Sequence, residues 1–452
     1  MLTGNFVFYI TNYRMGWQII CGTIIISYLA GLLIDVFSDS KIINSFILTI
    51  SIISVLVPWF ITKQANYYLE TIFHKYPHSF IVPLGISFYT LQIISYLVDI
   101  YQKKIVPQKN IAKFALFITF FPQIVQGPIP RYDTLSEQLF RGHKFREDCF
   151  VKGFCLIIWG FFLKLVIADK SAVVVNEVFN NIEQYEGLYF WIAGTLYSIQ
   201  LYTDFLACVT ISQGISSLFG IQLGDNFARP YFAVSIKDFW RRWHISFSDW
   251  LRDYVYIPLG GNRKGTIRKY VNLLITFIVS GFWHGAGIKF IIWGLLHGFY
   301  QIVGEVTKNA REKLWKVLHM NQFPNIKKGC QQFTTFMLTT IAWIIFRTRF
   351  FRNEALSIFK SMITVFNPWI LFDDSLLELG LNWKEWSVLL LAICILFHVS
   401  RFQEQGVIVI EKFRKLPIMV RWGIYIIAII SIMTFGTYGF GFNMQDFIYG
   451  GF

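Results

Sequence analysis

The chain has 452 residues, of which 55% are hydrophobic, 19% aromatic and only 15% charged, where an ordinary soluble domain carries about 25% charged residues. That composition excludes a soluble globular protein, and because the apolar stretches are continuous instead of alternating it also excludes a membrane β-barrel. The formal charge of +14, from 41 basic and 27 acidic residues, sits mostly in the loops. It reads as cytoplasmic loop bias and contact with the anionic head groups of a lipid bilayer, not as nucleic-acid binding.

At about 20 apolar residues per crossing, length and composition predict an all-α polytopic membrane protein with about ten or eleven transmembrane or re-entrant helices. In chain order the segments are Trp17 to Phe37, Ile42 to Ile61, Phe80 to Tyr101, Ile111 to Gln126, Phe150 to Ala168 and Leu188 to Phe219, then Tyr270 to Trp283, Ile288 to Val306, Phe333 to Phe346, Ser387 to Val399 and Trp422 to Phe440. Several are short or cut by Gly and Pro, which suits re-entrant pieces. The first is long enough to span and follows Arg14, so it is expected to stay as an anchor and not to be cleaved as a signal peptide. Short connections and the absence of repeats or Ser/Gly-rich linkers predict one membrane domain over residues 1–452. Six scattered cysteines (Cys21, Cys149, Cys155, Cys208, Cys330, Cys394) include no CxxC pair and read as lipid- or core-buried thiols, not as a disulfide framework or metal site.

The longest non-spanning stretch, Arg229 to Tyr270, carries nine Lys/Arg and three Asp, which assigns it to the cytoplasmic side. Drawn as one helix, Ile236 to Tyr254 gathers Ile236, Phe239, Trp240, Trp243, Phe247, Trp250, Leu251 and Tyr254 into a stripe about 120° wide. Asp238, Arg241, Arg242, Asp249, Arg252 and Asp253 lie opposite. The expectation is an amphipathic interfacial helix. His244 falls at the edge of that stripe, as either an interfacial histidine with no role or a titratable group kept neutral against an apolar wall.

In the next segment Asn272, Thr276, Ser280 and His284 recur every fourth residue, ending in SGFWHGAG. Polar groups in a crossing are costly and face the bundle interior or a wet cavity, so this ridge is expected to line a lumen, while Gly281 and Gly285 also permit close helix contact. Lys289, His297, Gln301 and Glu305 repeat the pattern on the following segment. Asp204 lies near the middle of Leu188 to Phe219, where an acid must be paired or wet; the partner expected is a basic residue of Arg229 to Tyr270 or a histidine.

At these residues the sequence resembles the membrane-bound O-acyltransferase family, in its bacterial branch of cell-surface polysaccharide acetylases such as the membrane subunit of alginate O-acetylation. The matching strings are VPLGISFYTLQIISYLVDIY from Val82, FFPQIVQGPIPRY from Phe120, YTDF from Tyr202, NFARPYF from Asn226 followed by DFWRRWHISFSDWLRDYVYIPLGGNRKG, and SGFWHGAGIKFIIWGLLHG from Ser280. They cover most of residues 82–298 in order. Carried over by motif, the family's essential histidine falls on His284 and a second important histidine on His244. The resemblance implies acyl transfer in a central tunnel through the membrane, in a bacterial cytoplasmic (inner) membrane. Asp204, Asn272, Ser280, Trp283 and His297 are the candidate tunnel and support residues. The implied donor is acetyl-CoA, arriving from the cytoplasm. The acceptor is a cell-surface polysaccharide, reached directly or through an exported or membrane-tethered SGNH-type acyltransferase or esterase partner.

The chain departs from the family pattern in three places. It begins without an apolar helix that members place ahead of the region resembling Phe6 to Phe37; Thr210 stands where the branch has a second acid after YxDF; and the tail reads FIYGGF, ending in Phe452. The expected mechanism uses His284 as general base with no metal, since no ligand spacing for one occurs. Arg241, Arg242, Arg263 and Lys264 are candidate contacts for the donor's phosphates, with head-group anchoring as the equal alternative. Two other functions compete. D-alanyl transfer to teichoic acid from a carrier-protein thioester is one; a solute transporter is the other, and it would bring internal repeats or paired broken helices, neither of which is found.

Overall fold

Continuous apolar runs leave the backbone one way to satisfy its polar groups in a bilayer, the α-helix. The computed structural model describes residues 1–12, 16–71 and 82–438, and there is no strand among the described residues. Arg14, the Phe80 start of the third predicted segment, the last two residues of the eleventh and the FIYGGF tail lie outside them. Among the described residues, five helices are long and apolar enough to cross a membrane: Trp17–Val36, Lys41–Lys63, Glu147–Asn180, Trp383–Glu404 and Ile418–Phe435. Other predicted segments form helices that are shorter or more polar, such as Ile86–Tyr101, Leu188–Leu218, Thr266–His284, Ile288–Val306 and Pro324–Arg347. Ile111 to Gln126 does not form one rod. It breaks at Phe120 before Pro122, giving Ile111–Thr119 and the single turn Phe121–Ile124, as expected where Pro opens a new helix.

The exposed and enclosed helices differ in composition for a physical reason. Ile418–Phe435 is apolar over most of its length after Arg421 and is largely uncovered by protein, with Met419, Ile427 and Met433 facing outward, the state of a helix solvated by lipid. Leu188–Leu218 carries Gln200, Thr203, Asp204 and Ser212 and is enclosed by other helices. Protein partners can answer its polar groups where lipid cannot.

Two buried apolar cores organise the molecule. One gathers residues of the Leu163 to Ala207 region with Phe239, Trp240, Trp243, Phe277, Trp293, Trp343 and Phe346. The other gathers the N-terminal helices and Ile86–Tyr101 with Phe247, Trp250 and Leu251. Thr266–His284 joins them, contributing Phe277 to the first and packing Val279, Phe282 and Trp283 against the second. It meets Ile288–Val306 at very close range. A Cβ on Gly281 would stand 2.1 Å from the Phe290 carbonyl oxygen, and one on Gly294 2.1 Å from that of Phe277, so the packing role of Gly281 is realised. All six cysteines are free thiols.

Candidate active site

The stretch predicted as one interfacial helix is broken, and the break makes the site. Ser235 caps Ile236–Arg242 by accepting the Asp238 N–H at 3.1 Å. Trp243 is extended, and His244 turns into the left-handed region at φ 45°, ψ 55° before Ile245–Leu251 begins. A left-handed non-glycine residue persists only where its surroundings hold it. Here the Ala228 N–H donates to the Arg242 carbonyl and the Ile245 N–H to the Asn226 carbonyl, both at 2.9 Å. The turn rotates the second helix, so Phe239, Trp240 and Trp243 enter one core and Phe247, Trp250 and Leu251 the other. The aromatic stripe is therefore covered by protein side chains and does not face the bilayer, and the helical-wheel position assigned to His244 does not apply.

His244 is buried among aromatic rings, with its centroid 4.7 Å from Phe205, edge to face, and 5.0 Å from Phe247. His284 is the last residue of Thr266–His284 and packs against Trp293 at 5.2 Å, Phe247 at 5.5 Å and Phe346 at 5.8 Å. The two histidines line one small cavity of about 30 Å³, together with Ser87, Phe88, Ile129, Phe247 and Trp283. Trp283 is fixed by face-to-face stacking on Trp59 at 4.3 Å. The structure thus brings together His284, His244 and Trp283 of the predicted residues.

The remaining predicted residues lie outside the cavity lining. Asn272 is fully buried and donates its side-chain N–H to the Gly261 carbonyl at 2.9 Å, which ties the GGNRKG turn to the helix that ends in His284. Ser280 is buried in the same helix. His297 Nδ1 accepts the Trp240 indole N–H at 3.2 Å and is enclosed by Trp293 and Trp343. Lys289 donates to the Phe346 and Thr348 carbonyls at 3.2 and 2.6 Å, and Glu305 pairs with Lys269. The second polar ridge is therefore divided among separate neighbours and does not line one lumen.

Asp204 takes a partner other than those expected. It binds Lys164 at 2.7 Å, and Lys164 also binds Asp169 at 2.8 Å, all three side chains being at most 6% exposed. Lys164 lies in a π-helical turn, Phe162–Ala168, inside the span Glu147–Asn180, the kind of bulge that inserts a side chain at a specific angle. A lone lysine in an apolar segment is as costly as a lone aspartate, so matching the two was the signal available. Arg242 is likewise engaged, bound to Asp238 at 3.0 Å and to Glu404 at 2.9 Å, while Glu404 also holds Arg229 at 2.8 Å. Arg241, Arg263 and Lys264 are exposed and enter no ion pair among the described residues. Among those residues there is also no cluster of three or more His, Cys, Asp or Glu side chains arranged to hold a metal.

The helical membrane fold agrees with the comparison to known proteins. The model of the membrane-bound O-acyltransferase family matches residues 6–348, and the chain belongs to that family. It is 38% identical over 267 residues to the probable alginate O-acetylase AlgI of Pseudomonas fluorescens, covering 59% of this chain and 51% of that protein. It is 35% identical over 313 residues to the peptidoglycan O-acetyltransferase of Helicobacter pylori, covering 63% and 57%. The teichoic acid D-alanyltransferase of Bacillus subtilis is 29% identical over 272 residues, covering 56% and 67%. The chain spans about half the length of the first two.

Proposed function

We propose that this chain is an O-acyltransferase of a bacterial cytoplasmic membrane that moves an acetyl group from acetyl-CoA to a hydroxyl of a cell-surface polysaccharide, directly or through an exported SGNH-type partner. The observation that carries the reading is the meeting of His284, from the end of a helix, and His244, from the turn between two others, in one aromatic-walled cavity. The names of the alginate and peptidoglycan relatives supply the acetyl group and the polymer class.

A hydroxyl attacks a thioester slowly because the alcohol is a weak nucleophile. In the proposed step the neutral imidazole of His284 takes the hydroxyl proton as the oxygen bonds to the acetyl carbonyl carbon. The carbon–sulfur bond then breaks, the coenzyme sulfur takes the proton from the imidazolium, and ester and free thiol separate. General-base help of this kind is worth about 10²- to 10⁴-fold. The surrounding Phe88, Phe247 and Trp283 rings keep water from hydrolysing the thioester. Arg241, Arg263 and Lys264 are the proposed contacts for the donor's phosphates; Arg242 acts by holding the Asn226 to Arg242 region against Glu404.

D-alanyl transfer is the second reading, favoured by the Bacillus subtilis relative. Mild alkaline release of esters from surface polymer, in cells with and without the chain, separates the two. Acetate that disappears on deletion and returns with the gene supports the proposal; D-alanine behaving so supports the second reading, and neither ester changing refutes both.

A further inference from the structure

We infer that Asn226 is a positioning residue that fixes His244 as its Nδ1–H tautomer and so presents Nε2 as the lone-pair acceptor in the cavity. The inference rests on the proposed transfer reaction for its consequence, but not for its geometry. Asn226 is 1% exposed, and its side-chain oxygen receives three contacts: the Ser246 N–H at 3.0 Å, the Ser246 hydroxyl at 2.8 Å and His244 Nδ1 at 3.3 Å. A backbone N–H can only donate, so the amide's oxygen, not its nitrogen, must face this turn. The Ser246 hydroxyl oxygen accepts the Ile129 N–H at 3.0 Å, which leaves its hydrogen for Asn226 and agrees with the same orientation.

With an acceptor fixed opposite it, Nδ1 of His244 must carry the proton. A neutral imidazole has one N–H and one lone pair, so the lone pair resides on Nε2. The left-handed backbone at His244 and the Ile245 N–H bond to the Asn226 carbonyl at 2.9 Å bind the same two residues a second time, through the main chain. The ring is held between Phe205 and Phe247 and cannot rotate freely to exchange its nitrogens. An acceptor hydroxyl entering the cavity therefore meets Nε2 of His244 as a hydrogen-bond acceptor, oriented before any proton moves to His284. Orientation of this kind is what second-sphere partners of functional histidines provide.

The test uses the full chain in lipid bilayers with ¹⁵N-labelled histidine. Of eight histidines, His244 is identified by the signal that His244→Gln removes. Magic-angle-spinning NMR is expected to show it protonated at Nδ1, and Asn226→Leu to release that preference; a parental His244 protonated at Nε2 overturns the inference. In turnover assays Asn226→Leu is expected to lower kcat by ~10²-fold with little change in KM for the donor, in the range of one lost acid–base group. Asn226→Asp, which keeps the acceptor oxygen, is expected to recover to within ~10-fold of parental. Parental kcat in Asn226→Leu overturns the inference. If Asn226→Leu does not fold, the parental spectrum and Asn226→Asp decide. If no variant or parent transfers any acyl group, the function reading fails, while the spectrum still supports or overturns the tautomer.

Discussion

His244 and His284 press against the same ring, that of Phe247, at centroid separations of 5.0 and 5.5 Å. One histidine belongs to the turn that carries the chain from one core to the other, and the second ends the helix that links those cores. The cavity is thus a seam between two packed bodies, and its geometry depends on both.

Phe247 sets that spacing, so trimming it is expected to disturb the chemistry more than the fold. Phe247→Leu should keep a melting transition in detergent close to parental, while turnover falls by up to about 10²-fold, the scale of a reactive group misplaced by an ångström. Turnover equal to parental would show that the ring is only filler.

The close approach of Thr266–His284 to Ile288–Val306 predicts an asymmetry between two glycines. Gly281→Ala puts a Cβ against the Phe290 backbone carbonyl, whereas the space around Gly304 is open to 4 Å. Folded yield and activity are expected to drop for Gly281→Ala and to stay level or rise slightly for Gly304→Ala, by less than about 1 kcal/mol in helix propensity. Size-exclusion recovery and a thermal melt measure both.

Lys164 lies between two buried carboxylates, Asp169 and Asp204. Removing the cation alone leaves them uncompensated, and Lys164→Met is expected to destabilise by about 3–5 kcal/mol. Replacing all three together with apolar residues should recover part of that loss, because buried ion pairs are less stabilising than the damage from breaking them suggests. A triple variant that melts below Lys164→Met would contradict this.

The GGNRKG turn offers exposed cations while Arg242 is tied to Glu404. Arg263→Ala with Lys264→Ala is expected to raise KM for the donor several-fold and leave kcat unchanged, the pattern of lost uniform binding. Arg242→Ala should instead lower folded yield. Steady-state kinetics over a range of donor concentrations distinguish the two.

Helix positions were readable because hydrophobic continuity is local. Ile288 to Val306 is found as predicted, Trp17 to Phe37 ends one residue earlier, and Leu188 to Phe219 differs by one residue at its end. What periodicity cannot contain is a break whose cause lies elsewhere in the chain. A wheel over Ile236 to Tyr254 assumes constant rotation, while the turn at His244 is held by Asn226 from a preceding loop. Partners remote in sequence were equally hidden: Glu404 completes the Arg229 and Arg242 cluster from the end of a late helix. His284 and His244 were singled out by their motifs, and the fold brings both to the lining of one cavity. Asn226 stood inside a quoted string, yet its role depends on a contact that only the folded chain displays.

The most direct measurement is acetyl transfer by His284→Ala in membranes, beside a check that the variant inserts and melts like the parent. The account predicts intact insertion with ester formation reduced by about 10²-fold or more. A properly inserted His284→Ala protein that esterifies surface polymer at the parental rate would contradict it.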